Sequence, residues 1–313
     1  MARESGALAK SYVLLPLIFG LALASACVAS PFVKILNDEL SKTRPLGKIF
    51  TQCVIVFAFA YFIVFRRYMR SHVLESLNKR VSTLLGHLLG GILIGVLVLG
   101  VIIGIFHLAG AKEYDPDFTA GMIWSALLTG LVVGVIEEIV FRGVVLQNLQ
   151  ADMEAFFAVL FASAFFAAMH FIQPLPAEIV KTGSAPAFNE FHVLNGFRIL
   201  PSQLANFGHF GQIWPFFLGL FLIGVALSVA YVHTGTLYLP IGIHAGFVAV
   251  NKLDGALFHD VAGRSKLLFG VARDWYMSYT DSLICWLATA VLIVLLAVFA
   301  GRPRRGQTER KQR

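Results

Sequence analysis

The sequence predicts an all-α, polytopic transmembrane helical bundle of about eight spans. Of the 313 residues, 58% are hydrophobic and only 14% are charged, whereas soluble domains are about 45–50% apolar and about 25% charged. The apolar residues also form long runs, and a helix needs about 20 of them to cross a bilayer. Lipid must therefore be part of the solvent around this fold, because water alone could not surround so much apolar surface.

Eight apolar runs are the candidate spans in chain order. They cover about residues 12–30, 50–65, 84–109, 118–146, 156–175, 214–231, 237–250 and 282–300. The second and seventh runs are shorter than a full span. The first has a rival interpretation, because Arg3 and Lys10 precede an apolar run that ends in small residues around Cys27, as in secretory signal peptides and lipoprotein precursors. We expect it to remain as a span.

The charges predict how the spans are oriented. The formal net charge is +7, but the basic residues cluster at the ends of apolar runs, in segments 66–80 and 302–313. Such clusters are typical of cytoplasmic flanks and argue against a nucleic-acid partner. Threading eight spans places both segments on one side. It predicts an integral protein of the plasma (inner) membrane with both termini in the cytoplasm and the lipid bilayer as its partner.

Two adjacent acids and an arginine interrupt the fourth run. Each such charge costs about 2.5–3.5 kcal/mol at the centre of a membrane helix and usually has a function. Glu138 and Arg142 are four residues apart, so they lie on one helix face and can form an ion pair. Glu137 is rotated by about 100°, so its carboxylate could act as a general base. The alternative is a charge network that only ties helices together.

Two histidines lie in later runs. His170 follows Phe166 by four residues near the end of the fifth run. His244 shares a helix face with Asn251, seven residues later, and small residues around His244 permit close approach of a neighbouring helix. A carboxylate and two imidazoles brought together could activate water and stabilise an oxyanion.

Together the three clusters resemble the CPBP family, which includes CAAX prenyl proteases of the Rce type and bacterial bacteriocin-processing and self-immunity proteins. The family pattern is Glu-Glu-x-x-x-Arg, then Phe-x-x-x-His, then His-x-x-x-Asn, on successive core helices. The first two motifs are complete in this sequence. In the third, Val248 stands where the family has Asn, and Asn251 is one turn further on. The resemblance covers about residues 118–252.

The resemblance implies an intramembrane endopeptidase that acts on a membrane-associated peptide or protein. Glu137 would activate a water with help from His170, and His244 would donate to the oxyanion. Glu138 and Arg142 would position Glu137. The family is often called a metalloprotease, so Glu137, His170 and His244 could also be ligands of one divalent metal such as zinc. A glutamate-driven mechanism needs no metal, and the sequence leaves both open.

Two other functions compete with proteolysis. A non-catalytic scaffold or self-immunity protein would keep the fold, and Val248 favours it. A proton-coupled transporter could use the same charges, but no inverted repeat is visible. The zinc motif His-Glu-x-x-His and the serine motif Gly-x-Ser-x-Gly are both absent from the sequence.

These inferences divide the chain into four parts. Residues 1–117 form N-terminal transmembrane helices and residues 118–252 the functional core. Residues 253–300 form a loop and the last helix, and residues 301–313 a basic disordered tail. The core contains a long loop, 173–213, rich in proline and phenylalanine. Loops of this length are often functional. We expect it to pack at the lipid interface, with a substrate-gating lid as the alternative.

Overall fold

The computed structural model describes residues 10–39, 44–69, 73–77, 80–114, 119–172, 191–261 and 282–299. Nearly all of these residues are helical, which confirms the predicted fold class. The elements in chain order are α1 (Ser11–Glu39), α2 (Leu46–Val64), α3 (Val73–Leu77), α4 (Val81–Leu108), β1 (Lys112–Tyr114), α5 (Ala120–Glu138), a π-helical segment (Ile139–Leu146), α6 (Gln147–Asp152), α7 (Ala155–Met169), α8 (Asn195–Gly208), α9 (Phe210–Thr234), α10 (Tyr238–Leu257), β2 (Phe258–Asp260) and α11 (Leu283–Phe299).

Each predicted span corresponds to a helix. Within the described ranges, five helices are long and apolar enough to cross a membrane: α1, α2, α4, the continuous rod Ala120–Asp152, and Ile213–Thr234. Helices α7 and α11 are apolar but have only 15 and 17 residues. Helix α10 corresponds to the seventh run. This architecture is that of an integral membrane protein.

The structure differs from the prediction in three places. The fourth span continues past residue 146 to Asp152, whereas the fifth ends early, at Met169. The predicted 173–213 loop contains α8 and the start of α9, and its residues 173–190 lie outside the described ranges, as do 262–281 and the predicted tail. The short antiparallel pairing of β1 with β2 was not predicted. Three-residue strands are too short to leave a periodic signal.

The chain folds as two compact units. The first contains Met1–Ser71, Asn148–Glu154 and Ala167–Trp214, and the second contains His72–Gln147, Ala155–Phe166 and Pro215–Arg313. In the first unit α1 packs on α2 around a cluster that includes Phe50 and Ile199. The N-terminus of α1 is anchored because the Ser11 amide donates to Asp152 Oδ2 at 2.6 Å.

The second unit is organised around α10, which packs between α4 and α5. Glycines four residues apart line the contact with α4, namely Gly91 and Gly95 on α4 against Gly242 and Gly246 on α10. A Cβ at Gly91 would lie 2.5 Å from the Leu239 carbonyl oxygen. The two backbones therefore touch, as small residues permit at helix contacts within membranes.

A second seam joins α10 to α5. Gly130 and Gly134 face the backbone of α10, and a Cβ at Gly134 would lie 3.0 Å from the Ile241 carbonyl oxygen. Ala245 and Ala249 complete this seam on α10. Since α10 has small residues on two faces, it approaches both neighbours closely. His244 lies on a third face of α10, against Glu138 and Phe166.

Contacts at the helix ends fix the direction of each helix. His87 near the start of α4 meets Thr236, just before α10, at 2.9 Å. Lys112, after the end of α4, pairs with Asp254 near the end of α10 at 2.6 Å. Helices α4 and α10 therefore run parallel. Lys252 meets Ser125 near the start of α5 at 3.0 Å, so α5 runs the opposite way. Alternate directions are what the eight-span threading requires of the third, fourth and seventh spans.

The seam also gives the depth of His244. Gly95, near the middle of the 28-residue helix α4, faces Ile243 and Gly246. At a rise of 1.5 Å per residue, either end of α4 is about 20 Å away. His244 therefore lies near the middle of the span.

We predict that Gly91→Ala destabilises the protein whereas Gly90→Ala does not. The added methyl of Gly91→Ala must push α4 and α10 apart, at a cost of about 1–3 kcal/mol. Gly90 has open space around it, and alanine is the better helix former. Thermal unfolding of both purified variants in detergent tests this. Equal melting temperatures would contradict the close seam.

Candidate active site

The site begins where α5 ends at Glu138 and the chain continues as the π-helical segment. The segment has the wider i→i+5 hydrogen-bond pattern, which is rare and occurs frequently at functional sites. Arg142 lies within it, and its side chain is fully buried beside that of Glu138. Sequence periodicity did not indicate this change of helix type.

Glu138 and Arg142 form the ion pair expected from their spacing. Arg142 Nη1 donates to Glu138 Oε1 at 2.7 Å. Nη2 donates to the Gly224 carbonyl oxygen on α9 at 2.9 Å, and the guanidinium carbon lies 4.8 Å from the centre of the Phe166 ring. A carboxylate, a carbonyl and an aromatic face thus surround the buried cation, which offsets part of its desolvation cost.

His244 lies between the two glutamates. Its Nδ1 is 2.8 Å from Glu138 Oε1, and its Nε2 is 3.8 Å from Glu137 Oε2. An ionised carboxylate only accepts hydrogen bonds, so Nδ1 carries the proton and donates. The ring also packs edge-on against Phe166, with centroids 5.9 Å apart. The orientation of His244 is therefore fixed by Glu138 on one side and by an aromatic ring on the other.

The two adjacent acids have different surroundings. The Glu137 side chain retains 29% of its exposure, whereas that of Glu138 is 0% exposed. Part of the Glu137 side chain is accessible, although the Oε2 atom that faces His244 is buried, and Glu138 is enclosed in the bundle. The resemblance assigned Glu138 and Arg142 to positioning Glu137. That role stays a prediction, and the described hydrogen bonds join Glu138 to both Arg142 and His244.

The remaining predicted residues lie elsewhere. His170 caps the end of α7 and belongs to the first unit, so its approach to Glu137 stays a prediction. Asn251 is exposed and lies about 10 Å along α10 from His244, which does not suit a donor beside that imidazole. Val248, one turn from His244, is half-buried.

The predicted metal site can be tested on its donor atoms. Among the described residues, no group of three His, Cys, Asp or Glu side chains is arranged to hold a metal ion. Glu137 Oε2 and His244 Nε2 make a pair, and catalytic zinc sites use three protein ligands. The described donor set therefore does not fit a metal centre.

Sequence reasoning missed the contribution of α9. The Gly224 carbonyl accepts from Arg142 and also from Ser228 Oγ at 2.8 Å. A Cβ at Gly224 would lie 3.0 Å from the Ser163 Cβ on α7, so glycine lets the two helices meet beside the ion pair. A backbone carbonyl has no signature in a sequence. The only signal for this site in the sequence was Gly224 followed four residues later by Ser228.

The fold and this cluster define a class of membrane proteins with an acid and an imidazole buried at mid-span. Residues 119–250 match the model of the Rce1-like type II CAAX prenyl endopeptidase family. No curated protein and no solved structure gave a match. The matched segment runs from the start of α5 into α10 and is less than half of the chain, and the match supports the resemblance of this part to the CPBP family. A family of this kind indicates intramembrane protease activity in general.

We predict that Arg142→Met strongly destabilises the fold, because Glu138 would be left as an uncompensated buried charge. Such a loss costs about 3–5 kcal/mol. The double variant Glu138→Gln/Arg142→Met removes both charges and should recover part of this loss. The measurement is the unfolding temperature of both variants in detergent. A double variant less stable than Arg142→Met would show that the pair is not the dominant interaction.

Proposed function

We propose that this chain is an intramembrane endopeptidase in which Glu137 activates a water for attack on a peptide bond. The observation that carries the proposal is the position of His244, with Nδ1 held by Glu138 and Nε2 facing Glu137 at 3.8 Å. A water can hydrogen-bond to both of these atoms at once, because they are less than two hydrogen-bond lengths apart.

The difference in burial supports separate roles for the two acids. Glu138 is enclosed and already bonded to Arg142 and His244, so it cannot approach a substrate. Glu137 is the less buried of the two acids, so it is the one that can meet a substrate. Glu137 would take a proton as the water oxygen attacks the carbonyl carbon. It would return that proton to the amine as the carbon–nitrogen bond breaks.

Charge balance supports a donor role for His244. Glu137 and Glu138 bring two negative charges to the cluster, and Arg142 brings one positive charge. A protonated His244 would make the cluster neutral, which an apolar environment favours. Because Nδ1–H is directed to Glu138, only the protonated ring offers an Nε2–H, and this group would stabilise the oxyanion. His170 completes the proposed site as the partner of Glu137.

The setting of this proposal follows from the threading of the spans. The substrate is a membrane-associated peptide or protein. Residues 118–252 of this chain act as the catalytic core that cuts it. The parallel α4 and α10 with the antiparallel α5 support the eight-span order. With the basic segments 66–80 and 302–313 on the inner side, that order would put both termini in the cytoplasm, and we propose the plasma (inner) membrane as the location.

A non-catalytic scaffold or self-immunity protein is the second candidate. Val248 supports it, since this position lacks the amide that the family pattern supplies to the oxyanion. The exposure of Asn251 also supports it, because that residue does not replace the missing donor.

We predict that Glu137→Gln reduces cleavage by about 10²–10⁴-fold, the usual contribution of general base catalysis. The amide keeps the shape of the side chain but cannot take a proton. The measurement is quantitative proteomics of membrane fractions, with the cleaved termini of natural substrates compared between wild type and variant.

Glu154→Gln is the matched control, since Glu154 is an exposed carboxylate before α7. It should leave every cleaved terminus unchanged. If Glu137→Gln keeps the wild-type pattern of termini while expression is equal, the protease proposal fails and the scaffold is favoured.

We also predict that Val248→Asn raises the rate of cleavage. The amide would lie one turn from His244 and add a donor to the oxyanion, and one such donor is worth up to about 10²–10³ in kcat. Val248→Ala is the control for the loss of side-chain volume. The measurement is the kcat of both variants on a substrate found by proteomics. An unchanged or lower kcat for Val248→Asn would exclude an oxyanion at this position.

A further inference from the structure

We infer that α8 lies in the membrane, with the face formed by Leu194, Phe197 and Pro201 in contact with lipid at the boundary of acyl chains and headgroups. We call this surface the outer face of α8. At 14 residues, α8 is about 21 Å long, which is too short to cross a hydrocarbon core of about 30 Å. The inference concerns a surface of the first unit and does not depend on the proposed chemistry.

The distribution of side chains on α8 departs from that on a helix facing water. The side facing α1 and α2 buries the polar residues Asn195 and Gln203 together with Ile199. Phe197 on the outer face is 48% exposed, while Gln203 is 0% exposed. A helix at a protein–water boundary buries its apolar stripe. Helix α8 therefore faces an apolar medium.

The inner face of α8 covers a gap in α1. Pro31 has no N–H, so the Cys27 carbonyl, four residues earlier, lacks its helical donor. Gly196 of α8 lies directly against this carbonyl, since a Cβ at Gly196 would overlap with it. A bare carbonyl facing lipid is costly. By covering it, α8 is placed at the depth of Cys27.

Charges on α1 give this depth. Lys34 pairs with Asp38 near the end of the helix, as charges do at the headgroup level. Cys27 lies seven residues earlier, about 10 Å deeper. Helix α8 thus meets α1 about 10 Å below the headgroup level, at the deep end of the range of about 5–10 Å that interfacial helices occupy.

The outer face continues the exposed apolar surface of α1, a candidate membrane span. Phe32 is on α1, a candidate membrane span, and it is exposed. Its ring meets that of exposed Phe191, four residues before α8, with centroids 5.5 Å apart. Exposed apolar side chains therefore lead from α1 to α8, with His192 as an exposed polar residue among them.

Two features place the outer face near the headgroups and not deeper. Arg198 is exposed beside Phe197, and an arginine can extend its guanidinium to the headgroups while its stem stays in the apolar layer. Pro201 leaves the Phe197 carbonyl without its helical donor. Interfacial water or a headgroup can supply that donor.

Spin labelling of the full-length protein in liposomes tests this inference. Phe197→Cys is labelled in a background where the three native cysteines are alanine, and its collision rates with O₂ and with a water-soluble nickel complex are measured. Val28→Cys is the lipid-facing control, exposed on α1 next to Cys27. Glu39→Cys, exposed at the end of α1, is the aqueous control.

We expect the label at residue 197 to collide more with O₂ than with nickel, as at residue 28. A nickel preference like that at residue 39 would place α8 in water and overturn the inference. Low accessibility to both reagents would show that protein, such as a second copy of the chain, covers this face, and it would also overturn the inference. Circular dichroism of the labelled variant confirms that it is folded.

Discussion

The structure depends on neutralising one buried carboxylate, that of Glu138. An ionised acid in the middle of an apolar bundle is tolerated only with partners that replace water. Arg142 and His244 are those partners, at 2.7 and 2.8 Å. The π-helical segment carries Arg142, α9 offers the Gly224 carbonyl, and α7 offers the Phe166 ring. Four helices are therefore tied to a single acid, and the same contacts orient the imidazole that faces Glu137.

Helix α10 carries this imidazole, and glycine and alanine seams hold it in place. Contact between backbones leaves little freedom for α10 to slide or rotate against α4 and α5, because the seams have no flexible side chains to rearrange. The ends of α10 are fixed as well, through Thr236 and Asp254. A rigid helix is a suitable carrier for a group whose function depends on a few tenths of an ångström.

The sequence predicted the helices, their order and the Glu138–Arg142 pair, because hydrophobic length and residue spacing encode these features directly. It did not predict the π-helical segment or the Gly224 carbonyl, since both are properties of the backbone. The resemblance implied that Glu138 supports Glu137, and this stays a prediction. The hydrogen bond between His244 and Glu138, which accompanies the Arg142 pair, was not predicted. The spacing of residues along a helix shows which side chains share a face. Only the packing between helices determines that His244 of α10 contacts the face that carries Glu138.

The central claim is that Glu138 holds His244 through Nδ1, with Nε2 directed to Glu137. Solid-state ¹⁵N NMR of histidine side chains in proteoliposomes tests it most directly, with the His244 signals among the nine histidines assigned by their loss in His244→Gln. The account predicts a protonated, hydrogen-bonded Nδ1 whose resonance shifts in Glu138→Gln. An unprotonated Nδ1, or a His244 spectrum that does not change in Glu138→Gln, would contradict it.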